Sequence, residues 1–395
     1  MMQSIALILL FGMFAGWVCK LIKLPSFLGM ILVGIILGPY VFNLIDSSIL
    51  NISQDLRKMA LIIILARAGL SLDLKDLKKV GRSAILMCFV PALFEIIAMI
   101  LIAPLFFDIS ILEAAIIGSV VAAVSPAVVV PKMIKLIEEG YGTEKGIPQM
   151  ILAGTSVDDV FVIVLFTAFT SLMKGYKISV MSFINVPVSV ILGMIIGILI
   201  GFILSKFFKK VHIRDSAKVI ILLSISFLLV SLENVITFSI NFSALISIMF
   251  MGIGLNKYRA EVSKRLSAKF NKLWVCAEII LFVLVGAIVD INYASKAGIR
   301  VVILILIILC FRMLGVFVCM IKTRLNIKER LFCMVAYIPK ATVQAAIGGM
   351  PLAMGLECGN LVLSIAVIAI LVSAPLGGFL IDFTYKKLLT IGEEK

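Results

Sequence analysis

The chain has 395 residues, of which 62% are hydrophobic and 15% are charged, and its formal net charge is +14. Its mean hydropathy of +1.21 lies outside the range of a soluble globular domain. The basic residues form short clusters between apolar runs, as topology signals do, and are not gathered on one module that could bind nucleic acid. The composition therefore predicts an all-α polytopic membrane protein.

Apolar runs of membrane-spanning length recur along the whole chain. With about 20 residues needed to cross the hydrocarbon layer, we predict thirteen transmembrane helices. They lie near residues 5–22, 26–43, 56–71, 82–107, 111–136, 147–172, 183–208, 217–235, 238–255, 273–293, 298–321, 329–354 and 360–388. Lysine and arginine are concentrated in alternate loops, such as Lys75, Lys78 and Lys79 after the third span, which predicts an outside N-terminus and a cytoplasmic C-terminus.

The sixth predicted span, IPQMILAGTSVDDVFVIVLFTAFTSL, carries two adjacent aspartates near its middle. An ionised carboxylate at that depth costs roughly 3 kcal/mol or more, so Asp158 and Asp159 are candidate functional residues. Successive helical positions differ by about 100°, so the two carboxylates point to different neighbours. Thr155 lies one turn before Asp159 and can add a hydroxyl oxygen. A salt-bridged pair that only holds helices together is the structural alternative.

Two predicted spans contain a proline at a corresponding place. Pro126 in GSVVAAVSPAVVVPKM lacks an amide proton and pushes Ser125 out of helical geometry. Pro339 in AYIPKATVQAAIGGMP marks the corresponding break in the twelfth span. Irregular backbone at this depth requires cover from protein or a watery cavity. Lys340 follows Pro339, and we expect it to offset exposed carbonyls at the end of a half-helix, with a role as proton carrier as the alternative. A plain proline kink is the alternative for either break alone.

Two single charges lie in otherwise apolar spans. Glu95 occurs in VPALFEIIAMI and Arg312 in LCFRMLGVF. Mutual pairing is the least costly solution for such charges, so we predict a structural ion pair between them.

The second half of the chain echoes the first at a nearly constant offset of about 215 residues. Gly34 corresponds to Gly252, Glu95 to Arg312, and Pro126 to Pro339. A shift of seven spans is odd, so matching helices run in opposite directions. This pattern predicts inverted-topology repeats with two crossing broken helices.

The motifs VSPAVVVPKM, GIPQMILAGTSVDDVFVIVLF, RAGLSLD and PKATVQAA resemble the monovalent cation/proton antiporters of the NhaA/NapA superfamily, closest to the NHA branch. The resemblance covers most of the chain. It implies a homodimer in which a core domain moves against a dimerisation domain. The repeat then assigns 1–81 and 217–296 to the dimerisation domain, 82–175 and 297–395 to the core, and 176–216 to a linker helix.

The resemblance also implies roles for single residues. Asp159 matches the essential cation- and proton-binding carboxylate, Asp158 its variable partner, and Thr155 and Ser125 the supporting oxygen ligands. A small hard cation needs several oxygens, which a carboxylate, a hydroxyl and the carbonyls freed at a helix break can supply. Because Asp159 holds either a proton or a cation, the expected activity is exchange of Na⁺ or Li⁺ for H⁺.

One departure from the family affects the expected proton/cation ratio. Electrogenic relatives have a lysine in the eleventh span, where this chain has Arg312, and arginine is not expected to release a proton. If Glu95 satisfies Arg312, then Asp158 has no obligatory partner. We therefore favour one-for-one electroneutral exchange over exchange of two protons per cation.

Other function classes are weighed against this interpretation. An intramembrane aspartyl protease needs two carboxylates that converge on one water, which adjacent residues of one helix cannot provide. A sodium-coupled organic-anion symporter of the same fold and a K⁺/H⁺ antiporter are the nearer alternatives. We expect no cofactor beyond the transported ions, because the seven cysteines lack metal-site spacing. The expected location is the cell membrane of a bacterium, with lipid and a second copy as partners.

Overall fold

We analysed a computed structural model of the chain, which describes residues 1–22, 24–71, 81–173, 180–235 and 242–391. Three predictions lie outside these ranges. They are the cytoplasmic cluster Lys75, Lys78 and Lys79, the domain boundary at residues 175–176, and the first residues of the ninth predicted span, 238–241.

The described residues form helices throughout the chain. In the first half these are α1 Met2–Leu21, α2 Ser26–Leu37, α3 Ser47–Asn51, α4 Ser53–Ser71, α5 Arg82–Met87, α6 Val90–Phe106, α7 Ile111–Val121, α8 Pro126–Glu138 and α9 Ile147–Met173. In the second half they are α10 Val180–Lys210, α11 Asp215–Val235, α12 Ala244–Tyr258, α13 Ala260–Ala287, α14 Ile291–Cys319, α15 Ile327–Ala336, α16 Thr342–Ile347, α17 Met350–Ala353 and α18 Gly359–Leu388.

Each predicted span contains at least one of these helices. Among the described residues, nine helical stretches are long and apolar enough to cross a membrane, two of which (α5–α6 and α7–α8) are interrupted, and α2 and α12 are shorter apolar helices. The fourth predicted span is interrupted between Met87 and Val90, because Pro91 at the start of α6 cannot continue the preceding helix. Helix α13 begins at Ala260 and not near 273. Its first part is the polar segment that precedes the apolar run.

The chain divides into two compact units, and the aspartates lie in the first. This unit comprises the described residues of Met1–Gln54, Asp76–Phe169 and Ile279–Lys395. Within it, α2 and α13 cross so closely that a Cβ added to Gly34 would lie 2.0 Å from the carbonyl oxygen of Val283. Only glycine permits such a backbone approach.

The second unit comprises the described residues of Asp55–Lys75 and Thr170–Glu278. Here α4 and α12 are in backbone contact, since a Cβ added to Gly69 would lie 2.0 Å from the carbonyl oxygen of Met249. A Cβ on Gly252 would lie 2.6 Å from the backbone of Gly69. Gly34 and Gly252, which correspond in the sequence repeat, therefore both lie at close helix crossings.

The turn that leads into the aspartate helix α9 is bound to the end of the chain. Gly142 N donates a 2.8 Å hydrogen bond to Thr390 O, and Tyr141 forms an isolated antiparallel bridge with Ile391. The rings of Tyr141 and Tyr385 meet edge to face at 5.0 Å. These contacts fix the start of α9 against the last helix, α18.

Candidate functional site

The first helix break separates α7 from α8. Helix α7 ends at Val121 and α8 begins at Pro126, whose ring cannot donate the hydrogen bond that would continue the helix. Ser125 has an extended conformation (φ −88°, ψ 110°). The four residues between the helices, Ala122 to Ser125, are all buried. Helical structure is therefore interrupted over Ala122–Ser125, directly before Pro126.

A second interruption separates α15 from α16. Helix α15 ends at Ala336, and α16 begins at Thr342, with Pro339 and Lys340 between them. The two interruptions are in direct contact, because Ser125 N donates a 2.8 Å hydrogen bond to Pro339 O. Lys340 N donates a 3.2 Å hydrogen bond to Ser373 Oγ on α18. The irregular backbone at both interruptions is thus covered by protein.

Asp158 is directed at the first break and is fully buried. Its Oδ2 accepts hydrogen bonds from Val124 N at 2.8 Å and from Arg312 Nη2 at 2.9 Å. The sequence-based expectation that Asp158 has no obligatory partner is therefore wrong. The physical reason is that one guanidinium has five donors and can bind two carboxylates together.

Arg312 connects four segments of the first unit. Its Nη1 donates to Glu95 Oε2 at 2.8 Å, as the predicted ion pair requires, and also to Ala122 O. Its Nε donates to Tyr337 O at 2.8 Å. Together with the bond to Asp158, these contacts tie α6, α9 and both helix breaks to α14.

Lys340 is the second buried cation of the cluster. Its Nζ donates a 2.7 Å hydrogen bond to Val121 O at the end of α7, so it meets a half-helix carbonyl as expected. The same Nζ lies 2.6 Å from Glu95 Oε1 and donates a 2.9 Å hydrogen bond to Glu95 Oε2. Sequence reasoning missed this second pairing of Glu95.

Asp159 differs from its neighbour because no ion pair among the described residues includes it. The side chain is half-buried, and its buried Oδ1 lacks a hydrogen-bond partner among the described residues. Thr155 is buried, and its hydroxyl donates to Leu152 O at 3.2 Å, which leaves the oxygen free to accept or to bind a cation. The buried Ser125 Oγ has no described partner. Their roles as ligands stay predictions.

Gln344 is a site residue that sequence reasoning did not single out. It is buried, and its Nε2 donates to Val121 O at 3.0 Å and to Ala123 O at 2.8 Å. The signal was available, because Gln344 is a polar residue in the apolar segment ATVQAAIGG. The structure thus adds a carboxamide to the cluster of charges around the first break.

Three carbonyls freed at the first break already accept hydrogen bonds, and the expectation that freed carbonyls bind the cation stays a prediction. Val121 O accepts from Lys340 and Gln344, Ala122 O accepts from Arg312, and Ala123 O accepts from Gln344. Each of these carbonyls already faces a donor nitrogen, because side chains of α14, the second break and α16 cap the end of α7.

The architecture resembles that of a solved membrane transporter. The structure of the sodium proton antiporter MjNhaP1 from Methanocaldococcus jannaschii at pH 8 aligns over 98% of both chains with a TM-score of 0.85 and 19% identity. An electron-microscopy structure of the same antiporter aligns with a TM-score of 0.79 and 18% identity over 99% of this chain and 97% of that one. The fold and its apolar helices therefore define a multi-pass integral membrane protein.

Sequence comparison then identifies the family. The family described as "Sodium/hydrogen exchanger, transmembrane" matches residues 5–387. Human sodium/hydrogen exchanger 9B2 is 31% identical over 386 residues, covering 93% of this chain and 70% of that protein. Human sodium/hydrogen exchanger 9B1 is also 31% identical, covering 96% of this chain and 78% of that protein. The chain belongs to the sodium/hydrogen exchanger family and is a transporter, not an enzyme.

Proposed function

We propose that the protein exchanges a monovalent cation, Na⁺ or Li⁺, for protons by alternating access, with Asp159 as the carrier of both. The observation that supports this most directly is the contrast between two adjacent carboxylates. Each carboxylate has one buried oxygen without a hydrogen-bond partner among the described residues, but Asp158 is also ion-paired with Arg312, whereas no ion pair of the described residues includes Asp159. Family membership supports cation/proton exchange as the activity.

The charges around the first break indicate how one carboxylate can drive exchange. Glu95 and Asp158 carry two negative charges, and Arg312 and Lys340 carry two positive charges, in ion pairs at 2.6–2.9 Å. Asp159 adds one further negative charge, which either a bound cation or a proton neutralises. Because an uncompensated charge crosses a low-dielectric barrier poorly, only the loaded site changes its orientation readily. Mutually exclusive loading makes the protein an exchanger.

The same balance favours one-for-one exchange. Arginine does not release its proton. Asp158 held against Arg312 therefore stays ionised throughout the cycle and carries no second proton. One half-cycle then moves a cation in one direction and the next moves a proton in the other, so the exchange is electroneutral.

We further propose thirteen transmembrane helices in two inverted repeats, with α7–α8 and α15–α16 as the crossing broken helices. The hydrogen bond between Ser125 and Pro339 supports the crossing, and the matching glycine crossings at Gly34 and Gly252 support the repeat. The functional domains are those expected from the sequence, with a homodimer as the assembly. The N-terminus is outside and the C-terminus cytoplasmic, in the cell membrane of a bacterium.

The direct test is transport by the purified protein in proteoliposomes that contain a pH-sensitive dye. We expect a gradient of Na⁺ or Li⁺ to move protons in the wild type and not in Asp159→Asn, because an amide can neither release a proton nor balance the charge of a cation. Thermal melting in detergent verifies that the variant is folded. Proton movement near the wild-type rate in Asp159→Asn would refute the assignment, and a response to K⁺ alone would replace the proposed cation.

A further inference from the structure

The first break offers few backbone oxygens to a cation. Val121 O accepts from two donors, Lys340 Nζ at 2.7 Å and Gln344 Nε2 at 3.0 Å, which occupies both of its lone pairs. Ala122 O faces the Arg312 guanidinium, and Ala123 O faces the Gln344 amide at 2.8 Å. Ala122 O and Ala123 O each keep one lone pair, but a cation there would lie close to a positively polarised hydrogen. Side-chain oxygens are therefore the other ligands to consider at this break.

Several buried side-chain oxygens around the two breaks are without hydrogen-bond partners in the described part of the chain. They are Asp158 Oδ1, Asp159 Oδ1, Ser125 Oγ, Thr342 Oγ1 and Gln344 Oε1. A buried oxygen that is left unsatisfied costs about 1–3 kcal/mol. Asp158 and Gln344 are bound to Val124 and Ala123, next to Ser125, so their unsatisfied oxygens indicate a ligand beside the first break. Hard cations prefer such oxygen ligands.

Gln344 is the member of this group with the best-defined orientation. Two carbonyl oxygens can be approached only by the NH₂ end of its carboxamide, so the assignment of the amide nitrogen and oxygen follows from the acceptors. With both N–H groups bound, the rotation of the amide is fixed and Oε1 is held in place. Ala123, which binds the amide, directly precedes Val124, which binds Asp158. Gln344 and Asp158 are thus bound to adjacent residues of the first break.

We propose that Gln344, on the second broken helix, supplies Oε1 as a ligand for the transported cation and so helps to set cation affinity and selectivity. This proposal rests on the proposed function. An amide oxygen coordinates a cation without changing the charge of the site. It does not take up a proton near neutral pH, so Gln344 acts in the cation-loaded half of the cycle, whereas Asp159 serves both halves.

The test compares Gln344→Met with wild type in proteoliposomes. Methionine keeps the length of the side chain and removes the amide. We expect the cation concentration at half-maximal exchange to rise about five- to tenfold, with exchange still present at saturating cation, as the loss of one neutral ligand predicts. The ratio of the apparent affinities for Li⁺ and Na⁺ should change as well. In detergent, the cation-induced rise in melting temperature should shrink.

Ser373→Ala is the matched control. Ser373 also binds the second break, through Lys340 N, but its hydroxyl already donates to Ala369 O at 2.6 Å. This variant should lower the melting temperature and leave the apparent cation affinity unchanged. Gln344→Asn, which keeps the amide and withdraws its oxygen by one carbon, takes the place of Gln344→Met if that variant does not fold.

Two outcomes would overturn the proposal. One is an unchanged apparent affinity in the Gln344 variant, and the other is an equal loss of affinity in Gln344→Met and Ser373→Ala, which would assign the effect to loosening of the break. Failure of the proposed function is distinguishable, because the wild type itself would then move no protons in response to a cation.

Discussion

Arg312 binds Glu95 and Asp158 with two different nitrogens of one guanidinium, at 2.8 and 2.9 Å. Lys340 binds Glu95 from another direction. The buried cluster is therefore a row of four charges of alternating sign, Asp158, Arg312, Glu95 and Lys340, and not an isolated pair. Removal of its members should have effects that depend on which neighbours remain.

Glu95 and Lys340 are the last two of these four charges, so their removal together should leave no buried charge without a partner. Glu95→Gln leaves the Lys340 ammonium buried without a carboxylate, and breaking a buried pair in this way typically costs about 3–5 kcal/mol. The double variant Glu95→Gln/Lys340→Met keeps the pair of Arg312 and Asp158. Its melting temperature in detergent should lie above the value expected from the sum of the single variants. Strictly additive losses would show that the two residues are not coupled.

Glu95→Ala combined with Arg312→Ala provides the contrast. This double variant removes the guanidinium that binds Asp158, and it removes the carboxylate that binds Lys340. Because it leaves one buried charge of each sign without its bonded partner, it should melt below the Glu95→Gln/Lys340→Met variant. The reverse order of melting temperatures would contradict the four-membered arrangement.

Asp158→Asn should separate stability from transport. The substitution removes the negative charge from a bond to Arg312, and hydrogen bonds to charged groups contribute about 1.5–3 kcal/mol. We expect a lower melting temperature but substantial retained exchange, since Asp159 carries the ions. A potential-sensitive dye should report no charge build-up during exchange by the wild type. A potential that arises in the wild type and is absent in Asp158→Asn would establish electrogenic exchange instead.

Thr155→Val keeps the shape of a buried side chain and removes its hydroxyl. One neutral ligand contributes on the order of 1 kcal/mol, so the apparent cation affinity should fall about fivefold. The lost bond to Leu152 O lies within one helical turn, so the fold should persist. Measurement of exchange against cation concentration tests this, and an unchanged affinity for every transported cation would exclude Thr155 from the site.

Gly34→Ala tests the helix crossing of the first unit. The new Cβ would lie 2.0 Å from Val283 O, and overpacking of this kind costs about 1–3 kcal/mol or more. Gly298→Ala is the control, because a Cβ there meets no atom of the described residues within 4 Å. Alanine at Gly298 should leave the melting temperature unchanged or raise it slightly. Equal melting temperatures for the two variants would argue against the close approach.

The sequence was informative where a single residue determines local geometry. Pro126 and Pro339 mark the helix breaks because proline cannot donate a backbone hydrogen bond, and the apolar runs locate the helices. Charge balance led to Glu95 and Arg312. The contacts of Lys340, Asp158 and Gln344 with other segments depend on how each helix is rotated and on where the ends of half-helices meet. That information is not contained in any one apolar run.

The order of the charges along the chain has a consequence for how the protein is made. Glu95 precedes Arg312 by 217 residues, and Asp158 precedes it by 154. At synthesis rates of about 5–20 residues per second, Glu95 leaves the ribosome roughly 10–40 s before Arg312. During this interval the acidic half of the cluster has entered the membrane, whereas its basic partners do not yet exist. The buried ion pairs can therefore form only after both halves have been translated. A chain truncated before Arg312 would hold Glu95 and Asp158 without either buried cation.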